Sequence, residues 1–366
     1  SMTRSILPAQ ARRTHGLGPS LELPGAMEGL PWVRSILSDG TREPFVVAVP
    51  SGATADFIWA AIEGDCLAGL AHASIKRGLP ATPGQAEAVA DRHRLNTAFD
   101  LLAEAALHDL HALLAAAGIE WRILKGLATA HLWYDSPDQR HTADVDLLVH
   151  EADFWRAIEL LGAQWPRAIV FRSRASQAAA NQATFVHPSG VEIDLHRWVT
   201  GFLPEFRLPE SLWWEQPQEF RLSWGEASAM SPDLMAFHVL LHLTSSSVRL
   251  TSVADLLRAL ERDDIDWDRV LGLARGRGLR TPLWWGAERA AVWAQSPRLD
   301  DLIARLRPGR LHTLLGPAIL QSPLARQIVF HASTPHRARR LIDSLRPTPE
   351  FVAWRANEQT AAANGR

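Results

Sequence analysis

Cysteine, net charge and long apolar runs are all scarce in this sequence. Cys66 is the only cysteine in 366 residues, which excludes an intramolecular disulfide framework and a cysteine-rich zinc site and fits a reducing compartment. The formal net charge is −2 and the pI about 6.7, so no global positive field attracts the chain to nucleic acid or an anionic membrane. Nucleic acid is therefore the less favoured partner.

Membrane insertion and export are also disfavoured by what is absent. The apolar stretch around Trp284 is interrupted by Glu288 and Arg289, so it falls short of the roughly 18 uncharged residues of a membrane span. The segment that follows Ser1-Met2-Thr3 lacks the continuous apolar core of a signal peptide. We therefore expect a cytoplasmic protein with no membrane partner.

The composition is that of a folded protein, and its periodicity changes along the chain. Hydrophobic residues make up 47% of the sequence and charged residues 21%, which is ordinary for a globular protein. Helical, then mixed, then helical patterns predict five segments. These are a mobile N-terminal segment (1–40), an N-terminal helical region (41–117), a small mixed-sheet α/β core (118–225), a C-terminal helical domain (226–355) and a disordered tail (356–366).

A long amphipathic helix is predicted immediately before the α/β core. Its apolar stripe ends near Gly118, a residue suited to the position just beyond a helix C-terminus. The residues predicted to form this stripe are Leu95, Phe99, Leu102, Ala106, Leu110 and Leu113.

Acidic side chains alternate along two predicted strands of the core. Alternate side chains of a strand share a face, so Asp144 and Asp146 project together from the strand 143–149. The same alternation puts three polar residues on one face of the strand 191–196: Glu192, Asp194 and His196. If the two strands are neighbours, Asp144, Asp146 and Asp194 converge; we interpret Glu192 as solvent-facing.

Converging carboxylates point to a bound cation. They repel one another and raise each other's pKa unless a cation lies between them. Oxygen ligands without a cysteine partner favour Mg²⁺ or Mn²⁺ over zinc, and Mg²⁺ usually completes its shell with water and substrate phosphates. The predicted metal ligands are therefore Asp144, Asp146 and Asp194, and the predicted chemistry involves phosphates.

A lysine–glycine turn adds a second indication of phosphate chemistry. Lys125-Gly126 lies where the strand predicted at 119–124 passes into a helix. Free N–H groups at such a helix start favour anions, glycine allows close approach, and lysine contributes a point charge. The turn is a weak signal alone and gains weight beside the acids.

Together these motifs resemble a known family. Leu124-Lys125-Gly126, Arg140, the run 143–149 and Ile193-Asp194-Leu195-His196 resemble the uncharacterised bacterial nucleotidyltransferases of the polymerase-β-like superfamily. The resemblance covers roughly residues 90–355 and implies a nucleotidyltransferase core in segment 118–225. Two departures are Lys125-Gly126, where the superfamily has Gly-Ser, and a longer gap between Gly126 and Asp144.

The resemblance also implies roles for these residues. Asp144 and Asp146 would bind the metal that orients the triphosphate, and Asp194 would join them on a second metal and help to deprotonate an acceptor hydroxyl. The residues expected to contact the nucleotide or its phosphates are Lys125, Gly126, Arg140 and His196. The implied reaction transfers NMP from an NTP, expected to be ATP, to a metabolite, peptide or protein, and releases pyrophosphate.

Two other functions remain compatible with the same residues. A kinase-like phosphotransferase would use the same metals on the γ-phosphate. A non-catalytic nucleotide-binding regulator would keep the site without turnover, although the presence of all three carboxylates weighs against it.

Several residues near these motifs have two interpretations. His196 is either a site residue or a hydrogen-bonded structural histidine. We interpret His238 and His242 as packing residues, and Asp255 as a helix cap or a partner of Arg258 or Arg249. The basic cluster at 336–340 is a solvated helix face or a contact for a phosphate-bearing partner.

Overall fold

The computed structural model shows a mixed α/β protein, which confirms the predicted fold class. It describes residues 25–38, 49–167, 181–199, 208–244, 248–276 and 279–309. Among these residues, no helix combines the length and apolar character that a membrane crossing requires. The predicted tail at 356–366 and the basic cluster at 336–340 lie outside the described residues.

One six-stranded mixed sheet forms the centre of the described fold, in the order β3-β4-β2-β1-β6-β5. Its strands are β1 Trp121–Ile123, β2 Val145–Val149, β3 Gln182–Val186, β4 Glu192–His196, β5 Gln218–Leu222 and β6 Gly225–Ala229. β2 pairs in parallel with β4 and β1 with β6, whereas the other neighbours are antiparallel. The predicted hairpin is the pair β3–β4.

Among the described residues, four helices precede the sheet: α1 Ala26–Leu37, α2 Gly52–Gly64, α3 Ala68–Lys76 and α4 Pro83–Ala116. Within segment 1–40, which we predicted to be mobile, residues 26–37 form the helix α1. Trp32, Val33 and Ile36 are buried on its inner face, and burial of such side chains stabilises the ordered state by about 1.5–3 kcal/mol each. Residues 1–24 are not described.

α4 forms as predicted, but its buried stripe is shifted. Thr82 and Gln85 form a reciprocal capping box at its start, and Gly118 follows the C-cap with a φ of +62°. Leu95 and Leu102 are 63% and 40% exposed, which corrects their predicted place in the core. The buried side chains of α4 are Val89, Ala103, Ala106, Leu107, Leu110 and Leu114.

The remaining helices cover the sheet and form the C-terminal half. Those interspersed with the strands are α5 Leu127–Trp133, a 3₁₀ turn at Pro137–Gln139, α6 Phe154–Gly162 and α7 Glu210–Trp213. Those that follow the sheet are α8 Pro232–His242, α9 Leu250–Glu261, α10 Trp267–Gly276, α11 Arg280–Trp293 and α12 Pro297–Leu306.

The first helices pack against the last ones. Arg34 of α1 donates to the Val292 carbonyl of α11 at 2.8 Å, and Phe57 of α2 stacks on Trp293 with ring centroids 6.4 Å apart. The predicted boundary at residue 225 falls at the start of β6, which is part of the sheet. The division into segments otherwise stays a prediction.

Candidate active site

Two acids face each other on neighbouring strands of the sheet. In the parallel pair β2–β4, Asp146 lies opposite Asp194. The two strands are adjacent, as the sequence interpretation required. Residues directly opposite one another project from the same face, and both aspartates are 5% exposed. Two carboxylates that are almost entirely removed from water therefore share one small volume.

A histidine completes the cluster that these strands assemble. Asp146, Asp194 and His196 each offer a ligand atom, and these atoms lie within 4.8 Å of one another. His196 Nε2 is 3.1 Å from Asp146 Oδ1. Asp144 lines the same cavity but precedes β2, whose first residue is Val145. The set of three therefore contains His196 where we predicted Asp144.

Lys125 compensates the charge of Asp146. Its Nζ is 3.0 Å from Asp146 Oδ2. Burial opposes the ammonium charge, but the carboxylates of Asp146 and Asp144 outweigh it and raise the pKa of Lys125. For Asp146, burial opposes ionisation, yet Lys125 and His196 hold its pKa well below the usual range. This pair is charged at neutral pH.

Asp194 has the opposite electrostatic environment. Burial, followed by the charge of Asp146, raises the pKa of Asp194 above its usual range. The Thr184 hydroxyl donates to Asp194 Oδ1 at 2.5 Å. Neighbouring carboxylates with pKa values displaced in opposite directions are typical of acid–base and metal sites.

Gly126 is required by the turn that presents Lys125. Its φ of +63° and ψ of −103° lie outside the conformations that side-chain-bearing residues readily adopt. A Cβ on Gly126 would lie 2.8 Å from the Thr142 Oγ1. The turn and the loop before β2 are therefore in close contact, and Lys125 lines the cavity from this turn.

Arg140 is not among the residues that line the cavity, and its role as a phosphate contact stays a prediction. Its Nη2 is 2.9 Å and its Nε 3.2 Å from the carboxylate of Asp255, and its Nη1 donates to the His141 carbonyl at 2.6 Å. The Tyr134 hydroxyl also donates to Asp255, at 2.8 Å. Asp255 was expected to cap a helix or to pair with Arg258 or Arg249; it binds Arg140 and Tyr134.

A cavity of about 280 Å³ opens beside the acids and is lined by more residues than we predicted. The additional lining residues in and beside β3 and β4 could not be recognised from the sequence, because nothing in the local pattern distinguishes them from residues outside a site. The additional lining residues are Asn181, Gln182, Trp198, Val199, His238, His242 and Arg249.

His238 and His242 had a recognisable signal, the i, i+4 spacing, but we interpreted them as packing residues. They are hydrogen-bonded through their Nε2 atoms, 3.1 Å apart. Burial and then the charge of Lys125 lower the pKa of His238 to about 3 and that of His242 well below its usual value. The part of the cavity wall formed by these two histidines therefore carries neutral imidazoles.

The residues present fit a divalent cation. Oxygen donors from two aspartates and one imidazole nitrogen are within reach of a common point, and such donors suit Mg²⁺ or Mn²⁺, with nitrogen better tolerated by Mn²⁺ and other transition ions. A cation there would also relieve the repulsion between Asp146 and Asp194.

Paired acids and a lysine at a cavity suit the binding of a divalent cation together with phosphates. The family model of an uncharacterised nucleotidyltransferase matches residues 51–295, which is more than half of the chain. The chain therefore belongs to this family and is, at the general level, a transferase. The match begins earlier and ends earlier than the range 90–355 over which we saw the resemblance.

No curated protein matches the chain significantly. The family therefore indicates the class of reaction, and the residues of the site indicate its chemistry.

Proposed function

We propose that this protein transfers a nucleoside monophosphate from an NTP to an acceptor hydroxyl and releases pyrophosphate, with a divalent cation held at the acidic cluster. The proposal depends chiefly on the opposition of Asp146 and Asp194 on β2 and β4 in a member of a nucleotidyltransferase family. A small molecule, peptide or protein as acceptor is favoured over nucleic acid by the slightly negative net charge of −2.

The residues that would hold the cation are Asp146 and Asp194, with Asp144 and His196 beside them. A bound Mg²⁺ or Mn²⁺ would polarise the phosphate oxygens and neutralise charge on the leaving pyrophosphate. The Lys125 ammonium, already charged and 3.0 Å from Asp146, would bind an oxygen of the triphosphate. Arg249 lines the cavity and would add a second cationic contact.

Proton transfer in this scheme involves Asp194. The acceptor oxygen bonds to the α-phosphorus, the α–β phosphoanhydride bond breaks, and the hydroxyl proton passes to the Asp194 carboxylate. Burial and the charge of Asp146 raise the pKa of Asp194 in the metal-free protein, and a bound cation, which lowers the pKa of its ligands, would keep Asp194 ionised and able to accept this proton. Asp146, whose pKa is lowered, stays ionised throughout.

The test separates transfer of the α-phosphoryl group from transfer of the γ-phosphoryl group. The protein is incubated with Mg²⁺ or Mn²⁺, α- or γ-labelled ATP, and small-molecule, peptide and protein acceptors. Label from the α position on an acceptor, with stoichiometric pyrophosphate, supports the proposal. Label from the γ position with ADP release would assign the kinase-like reaction instead.

Matched variants connect turnover to the site. Asp146→Asn and Asp194→Asn should each reduce turnover by at least about 100-fold, since either change removes a charge that the cation needs. The control is Asp233→Asn, which alters another buried aspartate whose partner is Arg269, 3.1 Å away. Turnover that survives both site substitutions, with cation dependence unchanged, would refute the assignment of the site.

A further inference from the structure

The loop before β2 holds two parts of the candidate site through one residue, Thr142. Its hydroxyl donates to the Asp144 carbonyl at 2.6 Å, and the same oxygen packs against Gly126 at the Lys125 turn. Thr142 is 5% exposed. A shift of Thr142 would therefore displace both Asp144 and the turn that carries Lys125.

Thr142 is itself held by a carboxylate from α4. Asp100 Oδ1 accepts the Thr142 backbone N–H at 2.9 Å, and its other oxygen, Oδ2, is 2.5 Å from His141 Nδ1. Both oxygens of one side chain thus bind consecutive residues of the loop. His141 is fully buried, and the Asp100 side chain is only 15% exposed, so water cannot readily replace either contact.

The chain of polar contacts continues from His141 to residues farther from the site. His141 Nε2 is 2.9 Å from His93 Nδ1, and His93 Nε2 is 3.3 Å from Asp138 Oδ2. The orientation of the His141 ring is therefore fixed at both nitrogens, by Asp100 and by His93, which both lie on α4.

We propose that Asp100 and His141 are positioning residues of the active site, which fix the loop 140–144 so that Asp144 and the Lys125 turn stay in place. Neither residue lines the cavity, and both act through Thr142. The effect on the active site rests on the proposed function, whereas the positioning of the loop rests on the hydrogen bonds of Asp100. α4, which precedes the sheet in sequence, thereby becomes part of the functional unit.

The test uses Asp100→Asn, Asp100→Leu and a matched acid on the same helix. Asparagine retains an acceptor for the Thr142 N–H but cannot accept from His141 with its amide nitrogen, whereas leucine accepts from neither. Asp109 also lies on α4 and pairs with a histidine, His187, at 3.1 Å, away from the cavity. Asp109→Asn and Asp109→Leu are therefore the controls.

Affinity for Mn²⁺ is the first readout, from the electron paramagnetic resonance signal of the free ion, with thermal unfolding in EDTA to verify folding. We expect affinity to fall about 10–100-fold in Asp100→Leu, the range for groups that orient ligands, about three- to tenfold in Asp100→Asn, and less than twofold in both Asp109 variants. Folded Asp100 variants that bind Mn²⁺ within twofold of the wild type would overturn the proposal. Equal losses in the Asp109 variants would do the same.

Hydrogen exchange of the peptide spanning 140–149, measured without metal, is the second readout. Loss of protection there in Asp100→Asn, with none in Asp109→Asn, is expected; unchanged protection would overturn the proposal even if Asp100→Leu does not fold. If the wild type binds no Mn²⁺, the metal site of the proposed function fails, while the exchange measurement still decides whether Asp100 holds the loop.

Discussion

Asp194→Asn should make the metal-free protein more stable while it removes metal binding. Asp146 and Asp194 offer oxygens within 4.8 Å of one another. At an effective dielectric constant of about 20, two unit charges at this distance repel by about 3 kcal/mol. Lys125 and His196 offset part of this repulsion, so we expect Asp194→Asn to raise the free energy of unfolding by about 1–3 kcal/mol. The amide oxygen of the substituted side chain can still accept the hydrogen bond from Thr184.

The assay is thermal unfolding in EDTA and in saturating Mn²⁺. At about 2 °C per kcal/mol for a chain of this size, the variant should unfold about 2–6 °C above the wild type in EDTA. Metal at 100 times its dissociation constant stabilises the wild type by about 2.7 kcal/mol and leaves the variant unchanged. The difference between the two melting temperatures should therefore shrink or change sign when metal is added.

Asp233→Asn provides the contrast for this experiment. Asp233 is buried like Asp194, but it pairs with Arg269 and accepts the Asp266 N–H. Its neutralisation should destabilise the protein in EDTA and leave the response to Mn²⁺ intact. A loss of stability in metal-free Asp194→Asn, or a gain from Mn²⁺ equal to that of the wild type, would refute the electrostatic reasoning.

Three further changes test the surroundings of the site. Burial raises the pKa of Asp65 from 3.8 to about 6, so ionisation of Asp65 destabilises the fold as pH rises. At pH 8, Asp65→Asn should be more stable than the wild type by up to about 3 kcal/mol. Equal urea midpoints for the two proteins at pH 8 would contradict this. Gly126→Ala should cost about 1–3 kcal/mol because of its backbone angles and its approach to Thr142; an unchanged midpoint would argue against strain there. Arg140→Met should lower the free energy of unfolding by about 3–5 kcal/mol, because it leaves Asp255 buried without its cation. In calorimetry, the double variant Arg140→Met with Asp255→Leu should recover most of that loss.

The parts of the fold that were predictable depend on local periodicity. Alternation along 143–149 and 191–196 identified β2 and β4, whereas their adjacency was only a condition of the site hypothesis and is established by the strand pairing. The glycine of the Lys125 turn was recognisable because its backbone angles require it. These features are carried by residues close in sequence.

The parts that were not predictable depend on contacts between distant segments. Arg140 lies beside the acids in sequence, but Asp255, 115 positions later, holds its guanidinium. Asp100 has no local signal, because its partners are 41 and 42 residues away. The exposed Leu95 shows the same limit, since apolar periodicity identifies a helix without specifying which turns another element covers.

The packing of α1 against α11 affects how the protein should be produced. The family match starts at residue 51, yet α1 ends at Leu37 and buries Trp32, Val33 and Ile36. A recombinant fragment cut at the start of the family match would uncover the surfaces of α2 and α11 that Arg34 and its neighbours cover. Exposed apolar surface promotes aggregation, so an expression fragment that retains residues 26–37 should be the more soluble one.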